Sequence, residues 1–233
     1  MEVYFGDGAK NGPVNLYTDY TWKGEIQLIT IKEHIESEIV EKKSKFIANI
    51  YFVENVEEAE SKIKETKKKY YDARHNCYAY RILEEKEIYE KSCDDGEPSG
   101  TAGDPMLTIL QQNGLVNVLA IVTRYFGGIL LGTGGLVRSY SNSVINAINS
   151  AEIFNIQRGT LYNVQIDYEN FRKLEYYTKI NNIKISEIKY QENITCNLEV
   201  VDLFKNQFIE DIQNEKINIK NITTMQENIN III

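Results

Sequence analysis

Between Pro98 and Ser150 the chain carries only three charged residues, Asp104, Arg124 and Arg138, but eight of its fourteen glycines. Upstream, residues 54–97 are dense in Lys and Glu. A long stretch without charge reads as a buried element, and glycines at that density imply tight turns or close backbone approaches. The block is therefore where a core element and a site are both expected. Val116–Thr123 is nearly all apolar and reads as a strand covered on both faces. Gly127, Gly128 and Gly132 mark a loop. Leu136, Tyr140, Val144 and Ile148 then recur at spacing four and give a helix one apolar face, with Thr133 placed to cap it. An earlier helix opens at Asp104-Pro105, Asp as cap and Pro at the first position, and runs through Leu107 and Leu110 to Gly114.

At 233 residues the chain suits two domains better than one. Its composition, 42% hydrophobic and 26% charged, is that of a globular protein rather than a disordered one. No apolar run approaches the ~20 residues that span a bilayer. A net charge of −8 argues against a non-specific coat on nucleic acid or anionic membrane, while leaving room for a local cationic site. Cys77, Cys93 and Cys196 are an odd set with no C-x-x-C pair. They argue against a disulfide framework and for a reducing cytoplasm.

Residues 1–24, punctuated by Gly6, Gly8, Gly12, Pro13 and Gly24, read as an extension or hairpin. Residues 26–31 and Lys45–Val53 read as strands, the second with Phe46, Ala48, Ile50 and Phe52 on one face. Glu57–Tyr70 is an exposed helix, Asn76–Ile82 and Glu87–Ser92 are strands, and Asp94–Gly103 is a loop. Beyond a linker near Ala151–Gly159, strands at 161–168, 183–190 and 192–200 alternate with helices at 169–180 and 202–213. A last strand begins at Ile217. That order is β-α-β-β-α-β, a ferredoxin-like arrangement. The domains are then an extension (1–24), an N-terminal domain (25–154) and a C-terminal domain (155–233), in an α+β fold.

No hydrolase pattern is present. G-x-S-x-G is missing, and Ser99 lies in a loop rather than at a nucleophile elbow. His75, Cys77 and Cys93 lack a fourth ligand at a zinc spacing, so neither a metal nor another cofactor is assigned. The strongest chemical signal is anion binding. Gly127, Gly128, Gly132, Thr133, Gly134 and Gly135 run into a helix whose free N–H groups attract phosphate or carboxylate. Arg124 ends the preceding strand and Arg138 lies in the first helical turn. No Lys follows the glycines, so the loop is not a nucleotide-kinase P-loop. In a Lys-rich chain each Arg is a candidate for a geometric role; Arg74 joins the set, while Arg158 and Arg172 read equally well as ordinary surface residues. The acidic loop Asp94, Asp95, Glu97 and Ser99 could hold Mg²⁺ beside a phosphate, or simply turn the chain.

Three motifs in order carry a resemblance: Asp72-Ala73-Arg74-His75-Asn76-Cys77-Tyr78-Ala79-Tyr80, Asp94–Gly103 (DDGEPSGTAG), and Val122–Gly128 with Leu131–Arg138. Over Ile31–Ile233 the chain resembles the YigZ/IMPACT family. The resemblance implies an N-terminal domain like the second domain of ribosomal protein S five. It also implies a ferredoxin-like C-terminal domain similar to the last domain of elongation factor G. Eukaryotic relatives act in translational control, partly through a companion domain, so that partner contact does not carry over, and no catalytic residues transfer. The favoured function is a non-enzymatic RNA- or ribosome-associated protein with a phosphate site at Arg74, Arg124, Arg138 and the glycine loop. The alternatives are an Mg²⁺-dependent enzyme on a small phosphorylated or carboxylate metabolite, and a protein-interaction module presenting residues 98–140. Whether the arginines and the acidic loop converge on one cleft discriminates among them.

Overall fold

The computed structural model describes residues 21–22, 25–26, 28–84 and 87–233. In chain order the elements are β1 (Thr21–Trp22), β2 (Glu25–Ile26), β3 (Ile29–Thr30), β4 (Ile35–Glu41), β5 (Ser44–Phe52), α1 (Val56–Lys69), β6 (His75–Leu83) and β7 (Ile88–Cys93). There follow α2 (Gly103–Gln112), β8 (Val118–Tyr125), α3 (Thr133–Ile148), β9 (Phe154–Ile166), α4 (Tyr168–Ile180), β10 (Lys184–Tyr190), β11 (Ile194–Val201), α5 (Asp202–Gln213) and β12 (Asn221–Ile232). They form a mixed α and β chain in two compact units. The first holds Glu33–Ile82 and Tyr89–Glu152, with β1 and β2 paired to each other; the second holds Leu28–Lys32 and Ile153–Ile233, with the described residues of Leu83–Ile88. Most of the expected 1–24 extension lies outside the described residues. No described helix is long and apolar enough to cross a membrane.

The first unit is built on a sheet in the order β4-β5-β8-β6-β7. Its central strands are the apolar ones, β6 and β8, buried almost throughout. Strand alternation sends Tyr78, Tyr80, Ile82, Leu119 and Ile121 to one face, where they pack on Ala59 and Ile63 of α1. The other face meets α3, whose Tyr140 ring stands edge-on to Phe46 at 5.2 Å. Helix α1 is capped by its own side chains: Asn55 Oδ1 accepts from the Glu58 amide, and Glu58 Oε2 accepts from the Glu54 amide. The lysines 67–69 close its last turn, where the helix dipole favours cations.

Three features depart from the sequence reading. Strand β4 was not expected. It joins β5 through Lys42 and Lys43, both with positive φ (46° and 66°), in the two-residue turn that matches strand twist. Neither expected helix cap acts as one. Asp104 lies inside α2, whose cap position is Ala102, and Thr133 lies inside α3 behind Gly132, at φ 72°. A left-handed cap position suits glycine, which leaves Thr133 in the first turn.

In the second unit the order β9-α4-β10-β11-α5-β12 is observed, with sheet order β10-β11-β9-β12. Tyr162, Val164, Ile166, Cys196, Leu198 and Val200 face Phe171, Leu174 and Phe208 of the two helices. Burial pushes the Cys196 thiol up to about 11. The expected linker is largely strand: β9 begins at Phe154 because residues 154–155 pair with Ile29–Thr30 and residues 156–159 pair with the end of β12. The last strand starts at Asn221, after Ile217 has joined the core.

Gly127 is set against the β4–β5 turn, and a Cβ there would collide with the Lys43 carbonyl. Gly127→Ala is expected to destabilise the first unit by about 3 kcal/mol in urea melts. In the second unit, Asp211 accepts from Lys216 Nζ (2.6 Å), Tyr177 Oη (2.8 Å) and Gln207 Nε2 (2.9 Å). The Lys216 bond, joined by those of Tyr177 and Gln207, holds its carboxyl below the usual range. A lowered folded pKa adds stability above the unfolded value of about 3.9, and that stability is lost as pH falls through the folded one. Asp211→Asn is therefore expected to flatten the acid limb of a Tm-versus-pH curve below about pH 4; an unchanged limb would contradict the assignment.

Candidate functional site

The acidic loop lies between β7 and α2, and its carboxylates are turned inward. Asp94 Oδ1 accepts from the amides of Ala102 (3.0 Å) and Gly103 (2.8 Å), and its Oδ2 from Gly100 (2.8 Å). It thus caps α2 from eight and nine residues away, where Ala102 has no side-chain oxygen to offer. Gly103 lies so close to the Cys93 backbone that a Cβ would meet its amide nitrogen at 2.6 Å. Asp95, at φ 42°, accepts from the Asn76 amide (2.8 Å) and pairs with Lys67 (2.6 Å). His75 Nδ1 donates to the Asp95 carbonyl (3.0 Å). Ser99 is exposed at the loop tip.

Glu97 reaches furthest in. Its Oε1 accepts from Arg124 Nη1 (2.6 Å) and from the Tyr140 hydroxyl (2.9 Å), with the two charged side chains only 3% and 7% exposed. The Arg124 guanidinium lies 5.5 Å from the Phe46 ring centre and 5.6 Å from that of Phe126. Its Nη2 is 3.5 Å from Ser44 Oγ, and its Nε has no hydrogen-bond partner among the described residues. Cys77 donates to the Asp94 carbonyl (2.9 Å), with the Tyr140 oxygen 3.3 Å from its sulfur. Burial pushes both the Cys77 thiol and the Tyr140 phenol well above their ordinary values. Neither is a nucleophile or base near neutral pH.

The glycine loop follows on the exposed side. Gly127 donates to Ser44 Oγ (3.1 Å). Gly128 (φ 83°) and Gly132 (φ 72°) are left-handed and face open space. The first turn of α3 has no side-chain cap. Its N–H groups at Thr133, Gly134 and Gly135 stand beside Arg138, whose Nη1 would touch a Cβ on Gly134 at 3.6 Å. Phe126 and Leu130 are 53% and 83% exposed at the tip of this loop.

The expected site residues therefore separate. Arg138, Gly100 and Asp104 line one open groove of about 1050 Å³ that runs along α3, α2 and β4. Arg124 and Glu97 are buried as each other's partners, so Arg124 is not presented to a phosphate with Arg138. Arg74 is exposed at the start of β6 and, like Asp94 and Asp95, does not line that groove. Among the described residues no group of three His, Cys, Asp or Glu side chains is placed to hold a metal ion. Tyr140, Ser44 and the Asn76–Thr123 pair (2.7 Å) complete the buried network, Lys67 reaches Asp95 from its half-exposed edge, and none of these was foreseen as a site residue. The only sequence signal for Tyr140 was a hydroxyl on an otherwise apolar helix face.

Residues 42–148 match the model of the Impact N-terminal domain. IMPACT family member YvyE of Bacillus subtilis (strain 168) is 39% identical over 194 residues, which cover 82% of this chain and 89% of that protein. IMPACT family member YigZ of Escherichia coli (strain K12) is 36% identical over 148 residues, 63% of this chain and 70% of its own. A crystal structure of a hypothetical protein superposes with a TM-score of 0.58 at 28% identity, covering 87% of this chain and 98% of that one.

The buried pair sets a sharp stability expectation. Glu97→Gln leaves Arg124 charged without a counterion and is expected to cost about 3–5 kcal/mol in chemical denaturation. The double variant Glu97→Leu, Arg124→Met removes both charges and should recover most of that loss. If the double variant is as unstable as the single one, the ion pair is not what holds the loop.

Proposed function

Since the chain belongs to the IMPACT family, we propose that it is a non-enzymatic, cytoplasmic, RNA- or ribosome-associated protein acting in translation. The observation that carries the reading is the open first turn of α3, three uncapped N–H groups flanked by glycines and by exposed Arg138. Such a turn binds phosphate through the backbone without any base-specific contact. Arg74 is a further exposed cation of the first unit. Support also comes from the acids. Asp94, Asp95 and Glu97 already accept hydrogen bonds from inside the chain, which favours binding over metal-assisted catalysis on a metabolite.

A net charge of −8 means that such binding is focused rather than general. A second reading, a protein-contact module, draws on the exposed Phe126 and Leu130 beside the same turn.

Ribosome co-sedimentation separates the two. Retention is expected at about 50 mM salt and should weaken steeply towards 200 mM. Arg138→Ala should lower the slope of log K against log salt by about 0.7–0.9. Absence of retention at low salt would refute the RNA reading. A lysate partner that survives nuclease treatment and is lost in Leu130→Asp would support the protein-contact reading instead.

A further inference from the structure

The second unit has a cationic, aromatic surface that the motifs did not point to. Arg172, Lys173, Tyr176, Tyr177 and Ile180 of α4, with Lys216 beyond α5, line a slot of about 440 Å³. Tyr177 forms its wall, held by the hydroxyl that donates to Asp211. Tyr176 and Ile180 stand out into solvent, 68% and 58% exposed. Lys216 bridges to Asp211, yet its side chain stays 60% exposed. Arg172 and Lys173 have no ion pair among the described residues. Glu169, one turn earlier on the same side of α4, does not line the slot.

We infer that this slot binds single-stranded RNA, taking an unpaired base against Tyr176 and its phosphates on Arg172, Lys173 and Lys216. Exposed cations clustered on a chain of net charge −8 give an anion a local site of attraction. Cations alone would suit a duplex or an acidic peptide equally. An aromatic ring projecting beside them adds a stacking surface, which an unpaired base can use and a paired, stacked base cannot. Arg172 adds a planar guanidinium that matches phosphate geometry. The inference rests on the RNA reading above and adds a second contact in the other unit.

The test uses the full chain and fluorescence anisotropy with a labelled single-stranded oligoribonucleotide of about 12 residues, alongside its duplex. The single strand is expected to bind more tightly than the duplex. Tyr176→Ala should weaken it about tenfold while Tyr176→Phe leaves it unchanged. Arg172→Ala should lower the salt slope by about 0.7. Both side chains are exposed, so the variants are expected to keep the wild-type circular dichroism and Tm. If Tyr176→Ala binds like wild type while Arg138→Ala is impaired, the slot is overturned and the RNA reading stands. If the wild type binds no RNA, both fall. Equal affinity for the duplex, or binding only to phosphatidylserine vesicles, overturns the slot as a base-binding site.

Discussion

An ion pair between Glu97 and Arg124, both side chains less than a tenth exposed, organises the first unit. Bringing two charges out of water is expensive, and their attraction offsets that only with close geometry and further hydrogen bonds. The fold supplies these. Tyr140 of α3 donates to the same carboxylate oxygen, and Ser44 of β5 lies beside the guanidinium. One loop, two strands and one helix thus meet at a single carboxylate–guanidinium pair. Glu97 can reach that point only if the chain before and after it is turned, and Asp94 and Asp95 turn it by accepting four backbone amides between them. The acidity of the loop therefore has an architectural role: each of these carboxylates accepts hydrogen bonds from the chain's own donors.

Much of the architecture could be read from residue order because its signals are local. The 3.6 period of α3, the alternation in β11 and the apolar run of β8 all fall within a residue or two of their observed spans. What escaped either lacked its usual local signal or was set by partners distant in the chain. The β4–β5 hairpin turns on Lys42-Lys43, which lacks the Asn or Gly that usually marks two left-handed residues. β9 begins early because β3 and the end of β12 pair with it, and nothing inside residues 154–159 signals that.

The position of the glycine loop was legible in residue order, but the grouping of the arginines was not. The glycine loop and Arg138 do lie together at an open helix start. Arg124 was grouped with them because it lies near the end of a strand, three residues before Gly127, yet its side chain points to Glu97. Spacing along a strand cannot tell which cation has an internal counterion, since Glu97 is twenty-seven positions away. Arg172 read equally well as a surface residue, since its neighbours Tyr176 and Lys216 come from one helix and a later loop and residue order does not group them.

The capping of α2 by Asp94 has a bearing on which sequence changes this chain tolerates. Surface loops ordinarily accept insertions with little penalty, because their ends stay where the neighbouring elements put them. Here the loop is part of the helix it precedes. Its first residue fills the positions at which α2 would otherwise leave bare amides, and its length is set by that reach. An added or missing residue between Asp94 and Gly103 could leave every acid in place and still part the carboxylate from its helix. The spacing of the acidic motif is thus under the same constraint as its composition.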